Sequence, residues 1–247
     1  VLLPLAAGLA GLVAVTVAVG ATAGLGQVRA ALTATARAIL QLTVLGVVLA
    51  AVLRSPRLAP LYLGVVLTVA AWTSGRRLGG GREALVAAAA AIAAGAGSTA
   101  VVVFGSNALD LTARTAVPFV AQVVGGAMTA TTVAGQRLVD DVTAGWDEVE
   151  GMLALGARPA QAVARMARHA AGRALVPALD QTRNVGLVVL PGAYVGLLLA
   201  GASPVEAGRL QLLVLVGLLA AETVAAVTVT RLLSAPLGAR RPPGVTG

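Results

Sequence analysis

The sequence predicts an all-α, polytopic membrane protein, and three observations predict it. Hydrophobic residues make up 58% of the 247 and charged residues 11%, with a mean hydropathy of +0.91. A soluble globular domain carries about 25% charged residues, so the chain belongs in a bilayer. Apolar runs of membrane-crossing length recur from end to end. Charge, by contrast, is concentrated: 12 of the 28 Arg, Asp and Glu residues lie between Arg137 and Arg183.

A bilayer crossing needs about 20 mostly apolar residues. Seven such segments are predicted: Leu2–Leu25, Ile39–Leu53, Ala59–Ser74, Ala84–Val103, Val117–Val133, Val185–Gly201 and Leu210–Val229. The second reaches full length only by extending back through Ala31. The fourth is Ala-rich and weakly hydrophobic. Seven crossings put the termini on opposite sides. With the 137–183 loop in the cytoplasm, 14 of the 18 arginines are inside and 4, at positions 54, 57, 114 and 209, are outside. The positive-inside rule therefore favours N-terminus out and C-terminus in. The predicted organisation is a transmembrane domain over 1–233, with its charged loop at about 137–183, and a cytoplasmic tail over 234–247, of which Arg240–Gly247 reads as disordered. The stretch that begins at Val1 has no charged n-region, so a cleaved signal peptide is not expected.

The net charge of +8 comes from arginine alone. These arginines flank apolar segments, where topology requires them, so the basic pI is not read as nucleic-acid binding. Aromatic residues, at 2%, are too few for an interfacial belt. With no cysteine there is no disulfide and no thiolate metal site. His169 is a lone histidine in a basic stretch and makes a poor metal site; it reads as a solvated residue near a helix end. No Ser/His/Asp set, paired catalytic carboxylates or dinucleotide loop is present, so no covalent chemistry is predicted and the chain is not read as an enzyme.

The charged loop reads as a short helix, a turn and a second helix. Asp140-Asp141 and Asp147-Glu148-Val-Glu150 lead into Gly151-Met-Leu-Ala-Leu-Gly156. Val149, Met152, Leu153 and Gly156 fall at i, i+3, i+4 and i+7, one apolar face of a helix. The acids gather at its N-terminal end, where they complement the helix dipole. Gly156 suits a helix stop and Pro159 the first turn of the next helix, which carries Arg165, Arg168 and Arg173. Such an apolar face suits the groove of a soluble partner or the bilayer surface; the residues alone leave both open.

Glu150, followed six residues later by Gly156 and then Ala157, resembles the loop by which ABC-transporter permeases dock their ATPase. Further phrases occur in order: Arg37-Ala-Ile-Leu-Gln41-Leu-Thr-Val-Leu-Gly46, Ala71-Trp72, Val124-Gly-Gly-Ala-Met128, Leu153-Ala-Leu-Gly-Ala157 and Val185-Gly-Leu-Val-Val-Leu-Pro191-Gly192, then Ala200-Gly-Ala-Ser-Pro204 and Gln211. Together they resemble the FetB-type permeases, the iron-export ABC-transporter family also called uncharacterised protein family 14, to which the plant aluminium-sensitive permeases are similar. The resemblance covers about Arg37 to Arg231. It implies a coupling helix, with Glu148, Glu150, Met152, Leu153, Leu155, Gly156 and Ala157 as the ATPase-contacting set. It also implies a homodimer of permeases in membrane lipid and export of metal ions such as iron. Ala193-Tyr194 stand where the family often has a Met pair, and Gly125-Gly126-Ala127-Met128 where it often has Gly-Asn-Ala-Met. Both departures remove groups that could contact a metal.

ATP hydrolysis needs a Gly-x4-Gly-Lys-Ser/Thr phosphate loop, and this chain has no lysine. No cofactor is expected on it; ATP-Mg would sit on a separate ATPase subunit. For the substrate path the candidates are Gln41, Gly125, Gly126, Met128, Pro191, Gly192, Gln211 and Glu222. Pro191-Gly192 predict a break in the sixth span that either exposes backbone to substrate or is a packing kink. Gly125-Gly126 either approach a ligand or let helices pack closely, the favoured reading. Glu222 is an acid well inside a span, which is costly; it either contacts a cation or polar solute, is protonated, or pairs with a neighbouring chain. Gln41 and Gln211 could line a path or bridge helices. The readings that compete with a metal exporter are an ABC permease for a small polar organic solute and an ATP-independent secondary transporter.

Overall fold

The computed structural model describes residues 2–187 and 190–241. Two compact units divide the chain, Val1–Leu58 and Ala59–Gly247. In the first, α1 (Leu2–Thr22) and α2 (Val28–Arg54) form a hairpin. Gly24 and Gly26 hold positive φ in the connecting turn, a conformation glycine adopts without strain. α2 begins at Val28, which gives the second predicted span its full length. Leu5, Leu9, Leu12, Leu40, Leu42 and Val47 are exposed. Apolar side chains left outward on both helices are what lipid requires and water does not tolerate.

The second unit is built on α3 (Ala59–Arg77), α4 (Arg82–Gly105), α5 (Ala113–Ala144) and α11 (Pro204–Gly238). Its axis can be read from pairs of residues. Ser74 Oγ lies 2.7 Å from Thr132 Oγ1, Gly217 packs on Phe119 and Thr99, and Gly95 packs on the backbone of Ala221. Thus α3, α5 and α11 run one way and α4 the other. Arg77, Arg82, Asp140 and Arg240 consequently share one end of the bundle, joined there by the Arg240–Glu83 ion pair.

The alanine content of α4 has a packing reason. Ala84, Ala87, Ala88, Ala91, Ile92 and Ala96 are buried against α3, α5 and α11. Membrane helices gain from close backbone approach, which small side chains permit. The expectation of weak hydrophobicity does not hold: α4 has a hydropathy of 2.0, close to the 2.1 of α2.

Among the described residues, six helices have the length and apolarity to cross a membrane, one fewer than the seven predicted segments. The difference is the segment Val185–Gly201. α9 (Val176–Asn184) ends before it, Val185 is extended, Gly186 turns at φ +78, and α10 (Gly192–Leu199) begins only after Pro191. Val188 and Val189 lie outside the described residues. Proline lacks an N–H, so Pro191 sits ahead of the first turn of α10 rather than within a helix. The predicted break is therefore an interruption of the segment. Gly201, at φ +91, turns the chain. Ser203 and Glu206 then cap α11 reciprocally, with the Ser203 N–H donating to the Glu206 carboxylate at 3.1 Å.

α5 and α11 are much longer than the predicted spans, at 32 and 35 residues. At about 1.5 Å per residue, α11 reaches about 52 Å against a hydrocarbon core of about 30 Å. The surplus turns stand at the charged end and carry α6 (Trp146–Ala154), α7 (Pro159–Ala162) and α8 (Ala164–Ala174). α11 continues through the predicted 233/234 boundary, with Leu233, Ser234 and Gly238 buried. Residues 242–247 of the predicted tail lie outside the described residues.

Two cores follow from this division. One, within the bundle, contains Ile92, Phe119, Val123, Val124, Ala127 and Val214, with the rings of Phe104 and Phe119 edge to face at 5.8 Å. The other, at the charged end, gathers Leu138, Val142, Trp146, Val149, Val163 and Met166.

Candidate functional site

The charged end is a folded cap rather than a loose loop. α6 opens with Asp147 and Glu148 in its first turn, favourable at the positive end of the helix dipole. It closes on a Schellman turn: the Ala157 N–H donates to the Met152 carbonyl at 3.0 Å and the Gly156 N–H to that of Leu153 at 2.9 Å. Gly156 takes φ +87 there, the left-handed conformation that favours glycine. Pro159 starts α7 at its first position, as predicted, but the predicted basic helix is divided: α7 stops at Ala162, and Arg165, Arg168 and Arg173 lie on α8.

The apolar face of α6 is divided in a way the periodicity does not reveal. Val149 is fully buried and Leu153 is half-buried against the cap core. These two fasten the helix to its own protein. Met152 is 39% exposed and Leu155 86% exposed, while Glu148, Glu150, Gly151 and Gly156 are also exposed and Ala157 half-buried. Of the predicted contact set, Leu153 therefore faces inward, and the outward surface is Glu150, Met152, Leu155 and Gly156.

Ion pairs fix this surface. The guanidinium of Arg165 on α8 grips both carboxylate oxygens of Glu148, with Nε donating to Oε1 at 3.2 Å. That hydrogen bond raises the Arg165 pKa above its ordinary value. Arg173 pairs with Asp141 near the end of α5. A cavity of about 370 Å³ lies between these pairs, lined by Asp141, Glu148, Arg165, Met166, His169 and Arg173. His169 is exposed, as expected of a solvated residue.

The interrupted segment forms a second candidate site. A cavity of about 390 Å³ is bounded by Gly186, Leu190, Pro191 and Tyr194 on one side and Gly208, Gln211, Leu212 and Leu215 of α11 on the other. Gln211 is 5% exposed, and its Oε1 has no hydrogen-bond partner among the described residues. An unpaired buried amide costs about 1–3 kcal/mol, which a donor group entering the cavity would relieve. Tyr194, one of the positions at which the sequence departs from the FetB-type pattern, is the side chain that sequence reasoning did not single out as a site residue. Its signal was its place three residues after Pro191.

The remaining candidates separate. Glu222 is half-buried on α11 and stands over Gly126: a Cβ added there would lie 2.8 Å from the carboxylate Oε1. Gly126 thus provides room for an acid from the neighbouring helix. Gly125, beside it, is exposed with open space where a side chain would be. Met128 is half-buried against the bundle core, and its carbonyl accepts from Ser74 Oγ at 3.2 Å. Gln41 is exposed on α2, in the other compact unit. Gly192 is the first residue of α10 and exposed. Pro191 and Gln211 share a cavity, and Gly126 and Glu222 share a contact. Among the described residues, no group of three or more His, Cys, Asp or Glu side chains is placed to hold a metal ion.

Comparison with known proteins matches residues 4–237 to the family described as Uncharacterised protein family (UPF0014). UPF0014 membrane protein STAR2 of Oryza sativa subsp. japonica is 39% identical over 222 residues, covering 89% of this chain and 78% of that protein. Protein ALUMINUM SENSITIVE 3 of Arabidopsis thaliana is 34% identical over 198 residues, 79% of this chain and 72% of that protein. Probable iron export permease protein FetB of Escherichia coli (strain K12) is 33% identical over 181 residues, 72% of this chain and 70% of that protein. No solved structure matches.

Proposed function

Because the chain belongs to the UPF0014 family of multi-pass membrane proteins, we propose that it is the membrane-spanning subunit of an ATP-driven permease that exports metal ions such as iron. Two copies form the path, and a separate ATPase supplies the energy. The charged end lies in the cytoplasm, in keeping with the distribution of arginines. The observation that carries the reading is the cap: α6 is fastened beneath by Val149 and Leu153, held at its side by Glu148–Arg165, and free to offer Glu150, Met152 and Leu155 to a soluble partner. A short helix with an acidic and an apolar contact fits a groove on such a partner. The chain has no lysine and so no phosphate loop of its own.

ATP-driven closure of the ATPase pair would pull on α6. The cap rests on the projecting ends of α5 and α11, so the pull passes to α11, which bounds the interrupted segment. Metal export is suggested by the relative named as a probable iron export permease. The test is co-purification with the candidate ATPase of the unaltered chain, Glu150→Arg and Gly156→Trp. Both variants should insert in the membrane and lose the partner; retained association in both would remove the reading.

A second reading, export of a small polar organic solute, is favoured by one observation. The cavity at the interrupted segment offers an amide and a phenol, Gln211 and Tyr194, among apolar walls. Cell iron measured in a deletion strain under metal load separates the two. Accumulated iron supports metal export, and unchanged iron supports the organic solute.

A further inference from the structure

α5 carries polarity on the side it does not bury. Pro118, Gln122, Gly125, Thr129, Gln136 and Asp140 are all exposed. At 3.6 residues per turn they fall within about 60° of one another, a narrow stripe. The opposite side of α5 is core: Val117, Phe119, Val123, Val124, Ala127, Ala134 and Leu138 are buried. On neighbouring helices at the same depth the exposed residues are mostly apolar, and the exceptions, Thr68 on α3 and Thr223 on α11, spend their hydroxyl protons on their own helix backbone. The exposed face of α3 presents Val65 and Val69, and that of α11 Leu212 and Val216. The Gln122 and Gln136 amides have no hydrogen-bond partner among the described residues. Thr129 spends its hydroxyl proton on the Gly125 carbonyl at 3.1 Å. Gln136 lies at the charged end, but Gln122 stands in the membrane-crossing part of α5, where a free amide aimed at hydrocarbon would be left unsolvated at a cost of several kcal/mol.

The stripe also leads somewhere. At the charged end Gln136 and Asp140 line a cavity of about 540 Å³ together with Arg77, Gly79 and Val139. Partway along the bundle it passes Gly125, adjacent to the Gly126 over which Glu222 stands.

We propose that this stripe of α5 is the wall of a water-filled path, opening at the charged end through the Gln136–Asp140 cavity and carrying a solvated or hydrogen-bonding solute past Gly125. Between Asp140 at its mouth and Pro118 the wall consists of uncharged amides, a hydroxyl and glycine, so it replaces part of a solute's water shell without trapping it. This deepens the permease reading by assigning its path, and the test does not depend on the ATPase.

The chain contains no cysteine, so single cysteines can be read against an unreactive background. Gln122→Cys, Gly125→Cys, Thr129→Cys and Gln136→Cys are treated with a membrane-impermeant thiol reagent, in vesicles that expose each side in turn. Val69→Cys and Val216→Cys serve as exposed, lipid-facing controls, and labelling after denaturation verifies that each cysteine is present. At Gly125 a new side chain meets nothing within 4 Å. The stripe cysteines should label at least tenfold faster than the controls, with Gln136→Cys reached from the charged side. Labelling of stripe and controls at equal rates overturns the proposal. So does a stripe unreactive from both sides, including one that cross-links to a second copy and is thereby a dry seam. If the stripe labels in a chain that does not bind the ATPase, the path stands and the ATP-driven reading falls.

Discussion

Gly238, at the end of α11, rests on the backbone of Pro159, the first residue of α7. A Cβ there would stand 2.8 Å from the Pro159 carbonyl carbon, closer than real side chains approach. The longest helix of the bundle therefore ends in direct contact with the segment that follows the Gly156 turn. A displacement of the cap has a short, stiff route into the membrane.

Gly238→Val should break that contact. Overpacking of this kind costs about 1–3 kcal/mol, read as a lower Tm of the purified chain. ATPase association through α6 should persist while transport falls, because the docking surface survives and the link behind it does not. A variant that transports normally would show that motion does not pass through Pro159.

Gln211→Leu separates structure from solute contact. The amide oxygen is buried and has no partner among the described residues, so an apolar side chain of similar size should leave Tm unchanged or raise it. Export should drop severalfold if the cavity beside Pro191 receives solute. A lowered Tm with normal export would make Gln211 a structural residue.

Gly126→Ala and Glu222→Gln should have matching effects. The first forces the carboxyl group from its place and the second replaces it with an amide that cannot ionise. Both should reduce transport with little change in membrane insertion. Normal transport in both would mean that Glu222 only packs.

Arg165→Ala should change Tm little. The pair with Glu148 is about half exposed on each side, and exposed pairs contribute about 0–1 kcal/mol. Its effect should instead be on ATPase affinity, measured by titration, because Glu148 beside the docking surface is no longer held.

The helical class, the charged island and the Gly156 and Pro159 turns were legible because each depends on local chemistry: apolar run length, charge placement, and the φ preferences of glycine and proline. The orientation of α6 was not. Periodicity finds a stripe containing Val149, Met152 and Leu153, but only the packing of Trp146, Val163 and Met166 beneath it decides which of them are covered. The lengths of α5 and α11 were also hidden. Hydropathy marks the part of a helix that needs lipid and is silent on turns such as those around Leu138 and Leu233, which are buried by protein instead. Tyr194 went unassigned because the cavity it lines exists only through the packing of the interrupted segment against α11, which periodicity does not show.

The most direct test of where energy enters is disulfide cross-linking between the cap and the ATPase in this cysteine-free chain. Leu155→Cys and Leu153→Cys are each paired with single cysteines around the ATPase groove under mild oxidation. The account predicts a cross-linked species with Leu155→Cys and none with Leu153→Cys, which faces the cap core. Cross-linking through Leu153→Cys alone, or through neither, would contradict it.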